Sequence, residues 1–292
     1  MIIDGKELAS HVRKSVSEDV KNFKDQFRKD VKLAVIQVGN DAASCRYVRN
    51  KEKACQEVGI ISEVHKIDEN VSVDYICKYI SNLNMDPSVN GILVQLPIPG
   101  KTENETNTIL RCVDDIKDVD GFKEYNLGKL LKNEPGFVPC TPSGIEYILK
   151  SYKIQIEGSH CVIVGRSNIV GKPVSMLMLN NNATVTICHS KTINLSNITK
   201  QADILIVAVG KSKFITGGMI KPHSTVIDVG INIGNDGKLC GDVDFESCKD
   251  IADFITPVPG GVGPMTVAML LNNTLVAAKA QMDVHKLYNY DE

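Results

Sequence analysis

Two series of short apolar runs, most followed by a stretch of helical period, restrict this chain to parallel sheets with crossover helices. In the first series KLAVIQV occupies residues 32–38, a helical stretch runs from about 41 to 58, and then come ISEVHKI, a second helical stretch, and GILVQLP from 91. The second series is HCVIVG at 160–165, TVTICH at 184–189, ADILIVAVG at 202–210, STVIDVG at 224–230 and DFITP from 253. Strand-length apolar runs alternating with amphipathic segments build βαβ units, so the pattern predicts two α/β units. Between them lies DVDGFKEYNLGKLLKNEPGFVPCTPSG, whose glycines and prolines interrupt any long element and mark passage from one unit to the other. After the loop PVPGGVGP, the sequence MTVAMLLNNTLVAAKAQ predicts a terminal helix, which its pattern alone leaves free to pack on either unit.

Composition narrows the partners. With 292 residues and 43% hydrophobic content, the chain can bury a core in each of two domains. Its 33 basic and 35 acidic residues leave a net charge of -2, so no long-range field draws nucleic acid or an anionic membrane, and a small-molecule substrate fits better. The nine cysteines are scattered without a CxxC pair, which reads as reduced intracellular thiols and argues against a zinc site or a disulfide framework. MIIDGKELASHVRK lacks the pattern of a secretory signal, and no apolar stretch approaches the roughly 20 residues that span a bilayer. A cytoplasmic location is the expectation.

The run HCVIVG leads directly into Gly165-Arg166-Ser167-Asn168-Ile169-Val170-Gly171-Lys172-Pro173 and then a helical VSMLMLNN. A strand, a glycine turn and a helix N-terminus in that order leave backbone N–H groups free for phosphate, and the helix dipole favours the anion. The glycine spacing departs from G-x-G-x-x-G, so on spacing alone a dinucleotide site and an ordinary strand-to-helix turn stand level. The end of the next run says more. An NAD site usually carries a carboxylate there for the ribose hydroxyls, whereas this chain has Cys188-His189-Ser190-Lys191-Thr192. A hydroxyl and a cation in place of a carboxylate suit the extra phosphate of NADP, and Arg166 can add a bidentate contact. Solvated surface charge is the alternative for Arg166 and Lys191; His189 reads as structural.

On a helix Tyr47, Lys51, Ala54 and Val58 form one stripe in which Lys51 is the odd member. A lysine drawn partly out of water exchanges protons more readily, and a phenol one turn away can orient it or a substrate. On pattern alone, a lysine whose stem snorkels to water is the stronger reading. Gln95, inside Ile92-Leu93-Val94-Gln95-Leu96-Pro97, needs partners for a buried amide, and a lysine or a ligand can supply them. Asp120 can pair with ring nitrogens of a heterocycle or can simply serve an Asp-Gly turn. Pro259-Gly260-Gly261-Val262-Gly263-Pro264 permits close backbone approach to a flat ligand, or is a plain helix-entry loop. The dispersed histidines show no metal-ligand spacing, and no serine or cysteine triad is recognisable, which disfavours hydrolysis through a covalent enzyme intermediate.

Taken in order, Ser44-x-x-Tyr47-Val48-x-x-Lys51-x-Lys53, Gly91-Ile-Leu-Val-Gln95-Leu-Pro97, Asp118-Val-Asp120-Gly121, Gly165-Arg-Ser-x-Ile-Val-Gly171-x-Pro173 and Pro259-Gly-Gly-Val-Gly-Pro264-Met-Thr266 resemble the bifunctional methylenetetrahydrofolate dehydrogenase/methenyltetrahydrofolate cyclohydrolase family over almost the whole chain. The resemblance implies two α/β domains, the second a Rossmann-like NADP-binding domain, with the C-terminal helix returning to the first. It places a catalytic folate-binding domain at 1–138 plus 272–292 and the NADP-binding domain at 139–271, in a homodimer acting on tetrahydrofolate derivatives.

The same resemblance implies NADP-dependent oxidation of 5,10-methylenetetrahydrofolate, then hydrolysis of the methenyl product to 10-formyltetrahydrofolate. It makes Lys51 the catalytic lysine, gives Tyr47 folate positioning and support of that lysine, has Gln95 hydrogen-bond and tune it, and has Asp120 anchor the pterin. Gly165, Arg166, Ser167, Ser190 and Ile231 match cofactor-contacting positions, with Lys191 beside them; Pro259, Gly260, Gly261, Val262 and Gly263 border the folate, and Cys140 lies near the expected cofactor. No metal is implied. One departure is Gly121-Phe122-Lys123-Glu124, where the family often has His-Pro after the Phe. A dehydrogenase without the hydrolytic step and a non-catalytic NADP-binding module are the rival readings; the joint presence of Tyr47, Lys51, Gln95 and Asp120 argues against both.

Overall fold

The structure is a computed structural model that describes residues 1–234 and 237–288, with side-chain environments for all of these except 42, 43 and 283–288. In chain order the elements are α1 (Gly5–Phe27), β1 (Lys32–Val38), α2 (Ala42–Val58), β2 (Ile61–Ile67), α3 (Val73–Met85), β3 (Gly91–Val94), α4 (Glu103–Arg111), α5 (Glu124–Leu131), α6 (Cys140–Ser151) and β4 (His160–Val164). Then follow α7 (Gly171–Asn180), β5 (Thr184–Cys188), α8 (Leu195–Thr199), β6 (Ile204–Val207), β7 (Thr225–Asp228), β8 (Asn232–Ile233), β9 (Leu239–Cys240), α9 (Phe245–Cys248), β10 (Phe254–Ile255) and α10 (Val262–Tyr288). The chain divides into two compact units, His11–Gly128 with Leu270–Glu292, and Met1–Ser10 with Lys129–Met269.

In the unit of His11–Gly128, strands β2, β1 and β3 form a parallel sheet in that order, with Val35 level with Val64 on one side and Leu93 on the other. One face carries a core of Ala34, Ile36, Val38, Ile76, Ile80, Ile92 and Ile109, which the apolar stripes of α3 and α4 help to build. Side-chain caps begin the helices: Asp41 accepts from Ser44 N at α2, Ser72 from Tyr75 N at α3, and Thr102 with Glu105 forms a reciprocal box at α4. The terminal helix is bound into this unit by Asn273 Nδ2 donating to Val119 O at 2.9 Å and Gln281 Nε2 donating to Asn90 O at 2.8 Å.

The other unit holds a five-stranded parallel sheet ordered β10-β7-β6-β4-β5. Its direction of growth reverses beside β4, since β5 lies on one side of it and β6 on the other. In doubly wound sheets the crevice outside the strand ends at such a switch point is where ligands bind, and the turn after β4 opens there.

Three local features differ from the sequence expectation. Met1–Ser10 pack with Lys129–Met269, because Ile3 N donates to Ile255 O and Ile255 N to Met1 O at 2.9 and 3.1 Å, while Asp4 N donates to the Tyr152 hydroxyl. The glycine-rich passage between the series contains α5 and the start of α6. Helix α10 begins at Val262, inside the predicted loop; Pro264 sits in its first turn, where its missing N–H costs no helical bond.

Candidate functional site

Helix α2 sets Tyr47 and Lys51 one turn apart, and β3 ends just before Gln95. Gln95 is 8% exposed, with its backbone N–H donating to Ile36 O at 2.9 Å, so its position is fixed by the sheet. Lys51 Nζ donates to Gln95 Oε1 at 3.0 Å, and Gln95 Nε2 donates to Leu96 O at 2.6 Å. An ammonium can only donate, so the bond also settles which end of the amide faces Lys51. The Lys51 side chain is half-buried, and its ammonium ends on the Gln95 amide. Among the described residues no carboxylate lies within ion-pair distance of Nζ. Tyr47 is 40% exposed.

Asp120 lies half-buried in the turn after the isolated bridge between Ile92 and Asp118. The turn is built by its neighbours, which the sequence reading did not single out. Asp118 is buried and accepts from Phe122 N at 3.2 Å, Lys123 N at 2.9 Å and Asn126 Nδ2 at 2.8 Å; burial raises its pKa against those bonds. Lys117 Nζ donates to Leu83 O, Asn84 O and Asp86 O, closing the C-terminal carbonyls of α3. Lys123, the departure from the family pattern, pairs with Asp115 at 2.7 Å.

In the other unit the turn after β4 fits a nucleotide phosphate. Gly165 has φ +138°, and a Cβ there would stand 2.2 Å from Ala208 O, so only glycine allows the chain ends of β4 and β6 to approach this closely. Ser167 Oγ accepts from Val170 N and Gly171 N, both at 3.2 Å, which shapes the entry to α7. Arg166 and Ser167 are exposed. Val164 is the register partner of Cys188, so Arg166 and the exposed pair Ser190 and Lys191 follow the ends of adjoining strands. The turn that presents that pair is closed by His189 N on Thr192 Oγ1 at 2.8 Å and Lys191 N on His189 Nδ1 at 3.1 Å, a structural role for His189. These residues fit NADP: a phosphate at the start of α7, and cations without a carboxylate at the end of β5.

Two buried carboxylates, also missed at the sequence level, fix the neighbouring loops. Asp242 accepts from Val209 N at 2.6 Å, Gly210 N at 2.9 Å, Lys211 N at 2.8 Å and Asn232 Nδ2 at 2.8 Å, tying the loop after β6 to the segment after Ile231. Asp228 accepts from Gly230 N, Asp242 N and Val243 N, each at 2.9 Å. Burial pushes the Asp228 carboxyl up to about 6; the backbone bonds oppose the rise and the nearby Asp242 charge adds to it. Ile231 is 49% exposed at the rim of this arrangement. Acidic residues inside the runs STVIDVG and CGDV were the available signal, since a carboxylate amid apolar residues must find donors.

Within Pro259 to Gly263, Pro259 and Gly263 are exposed, Gly260 is half-buried, and Gly261 and Val262 are buried. Cys140 is buried at the start of α6. Tyr47, Lys51, Gln95 and Asp120 thus belong to one unit, and the nucleotide turn and the Pro259 loop to the other.

Residues 3–120 match the family model of the tetrahydrofolate dehydrogenase/cyclohydrolase catalytic domain, and residues 139–282 that of the tetrahydrofolate dehydrogenase/cyclohydrolase NAD(P)-binding domain. The bifunctional protein FolD of Thermodesulfovibrio yellowstonii is 52% identical over 98% of this chain and 99% of its own length. A crystal structure of the bifunctional FolD dehydrogenase/cyclohydrolase of Campylobacter jejuni superposes with a TM-score of 0.93 at 46% identity, covering 96% of this chain and 99% of that one. The FolD enzyme of Trypanosoma brucei, solved with NADP cofactor and inhibitor, gives a TM-score of 0.91 at 33% identity over 97% and 98% of the two chains.

Proposed function

Because this chain belongs to the tetrahydrofolate dehydrogenase/cyclohydrolase family, we propose that Lys51 handles the protons of its chemistry and that Gln95 aims it. The enzyme oxidises 5,10-methylenetetrahydrofolate to 5,10-methenyltetrahydrofolate with NADP, then hydrolyses that product to 10-formyltetrahydrofolate. The observation that carries the assignment of Lys51 is its 3.0 Å hydrogen bond to Gln95 Oε1. One of three ammonium N–H groups goes to a neutral acceptor held by the sheet, and the other two are directed away from it.

In the hydrolytic step water adds to the methenyl carbon and loses a proton. The hydroxyl proton of that adduct then moves to N5 as the carbon–N5 bond breaks, leaving the formyl group on N10 and one proton released overall. An amine that accepts and returns a proton at one fixed position serves these transfers. Oxidation asks chiefly for alignment. NADP, when bound, takes the hydride from the methylene carbon. Tyr47 is assigned to hold the folate, Asp120 to anchor the pterin, and Pro259, Gly260, Gly261, Val262 and Gly263 to border it.

Gly165, Arg166, Ser167, Ser190, Lys191 and Ile231 are assigned to the cofactor, with Asp242 and Asp228 holding the loops on which it rests. Folate functions are assigned to 1–138 with 272–292, and cofactor functions to 139–271. The working form is taken to be a cytoplasmic homodimer; no helix among the described residues is long and apolar enough to cross a membrane. Purified protein should reduce NADP when given methylenetetrahydrofolate, and should hydrolyse methenyltetrahydrofolate in the absence of cofactor. Reduction without hydrolysis would strip Lys51 and Gln95 of their proton-handling role.

A further inference from the structure

We propose that the exposed side of α2, with Arg46, Arg49 and Lys53, binds the anionic tail of folates that carry several γ-linked glutamates. The inference rests on the reading that Tyr47 and Lys51 hold the folate, and it adds a site for the far end of that substrate. Tetrahydrofolate ends in a p-aminobenzoyl group joined to glutamate, so the end remote from the pterin is negatively charged. Each further γ-linked residue adds one carboxylate. A site that prefers the longer tails therefore needs cations along a line that starts beside the place where the ring system is held.

Helix α2 has such a line. Val48, Ala54, Cys55 and Val58 bury one face of it, and Tyr47 stands at the border of that face, 40% exposed. At about 100° of turn per residue, Asn50, Arg46, Lys53 and Arg49 follow Tyr47 in that order around the helix, on the side away from Lys51. All four are exposed. From Arg46 to Lys53 the line covers about 10 Å along the axis. Asp120 is assigned to the pterin and Lys51 to the reacting atoms, so a folate that also lies against Tyr47 sends its tail toward Asn50 and Arg46.

The helix itself gains nothing from these cations. Arg46 and Arg49 lie three residues apart, and Arg49 and Lys53 four, spacings at which like charges repel across one face and weaken a helix. Among the described residues none of the three pairs with a carboxylate. Glu57, one turn beyond Lys53, is held instead by Arg13 of α1 at 3.2 Å, and the half-buried Glu52 makes no ion pair with Arg49. Since the whole chain carries a net charge of -2, this positive strip is a local feature and no share of a general excess. Successive carboxylates of a γ-linked tail supply the missing counter-charges, each in an exposed pair of modest strength.

The test compares methenyltetrahydrofolate carrying one and five glutamates in the hydrolysis assay without cofactor. For wild type, KM for the long-tailed form should lie about tenfold below that for the short one, a gain within reach of three exposed ion pairs. At about 1 M salt the preference should shrink, because exposed charges are then screened within about 3 Å. In the triple variant Arg46→Gln, Arg49→Gln, Lys53→Gln the ratio of the two KM values should fall to within about twofold of one. A control triple, Lys21→Gln, Arg28→Gln, Lys29→Gln, removes three exposed cations elsewhere and should keep the wild-type ratio. Circular dichroism checks folding; if the first triple does not fold, Arg46→Gln alone should lower the ratio by about twofold or more. Equal KM values in wild type, a preference that survives the Arg46 substitutions, or a control that loses it equally would overturn the tail site and leave the folate reading. Hydrolysis of neither form would overturn both.

Discussion

Lys51 Nζ meets Gln95 Oε1 across 44 residues of sequence at 3.0 Å, a cation held by a neutral amide that the sheet keeps in place. A carboxylate there would fix the ammonium as an ion pair, whereas an amide orients it without neutralising it. Lys51→Met keeps the stem and removes the amine. It should leave NADP binding within about twofold of wild type and lower the rate of methenyltetrahydrofolate hydrolysis by about a hundredfold or more, the range expected of a lost acid–base group. Cofactor titration beside a hydrolysis assay checks both; undiminished hydrolysis would remove Lys51 from the chemistry.

The cofactor preference rests on the absence of an acid at the end of β5. Ser190→Asp puts a carboxylate where the extra phosphate of NADP is expected, next to Lys191 in the turn after β5, which pairs with the strand that leads into the Arg166 turn. The ratio of kcat/KM for NADP over NAD should fall by about tenfold or more, as one repulsion of about 1.4 kcal/mol is enough to do this. Cofactor-free hydrolysis should be unchanged. An unaltered ratio would place the phosphate elsewhere.

Gly165 is where a single methyl group has no room. A Cβ would stand 2.2 Å from Ala208 O and 3.0 Å from Ala208 C, and both belong to backbone that cannot step aside cheaply. Gly165→Ala should cost about 1–3 kcal/mol in stability by overpacking and raise KM for NADP, because the turn that receives phosphate must open. Thermal unfolding and initial rates check it, and methenyl hydrolysis at a temperature where the variant is folded serves as the internal control.

How far the sequence foretold this depends on whether the signal was local. The strands β1 and β4 and the turn at Gly165 were legible, since alternation and glycine placement are properties of a few adjacent residues. The pairing of Lys51 with Gln95 was not legible from spacing, which favoured a snorkelling lysine; the order of the motifs pointed to it and the hydrogen bond supplied the geometry. The strand-like attachment of Met1 and Ile3 to Ile255 joins segments far apart in sequence and leaves no periodic trace. Asp228 and Asp242 left a trace that went unread, two acids within apolar runs, because their donors are backbone groups and carry no residue code.

Asp228 also gives a pH dependence of definite sign. Its carboxyl is raised from 3.8 to about 6 by burial, so the fold favours the protonated form. The stability this group contributes is therefore fully present below about pH 4 and is lost as the pH rises through about 6, a swing of roughly 3 kcal/mol. Other carboxylates, such as Asp203 and Glu105, are held below their ordinary values by hydrogen bonds and act in the opposite direction. The comparison must be between wild type and Asp228→Asn, in which the other groups cancel. The amide also turns a donor toward Val243 N or toward the two N–H groups on the other oxygen, which costs about 1–3 kcal/mol at any pH. Wild type should gain on the variant as the pH falls from 7 to 4.5 in urea unfolding. A stability difference that stays constant over that range would mean that Asp228 keeps its charge in the fold and that its three backbone donors outweigh its burial.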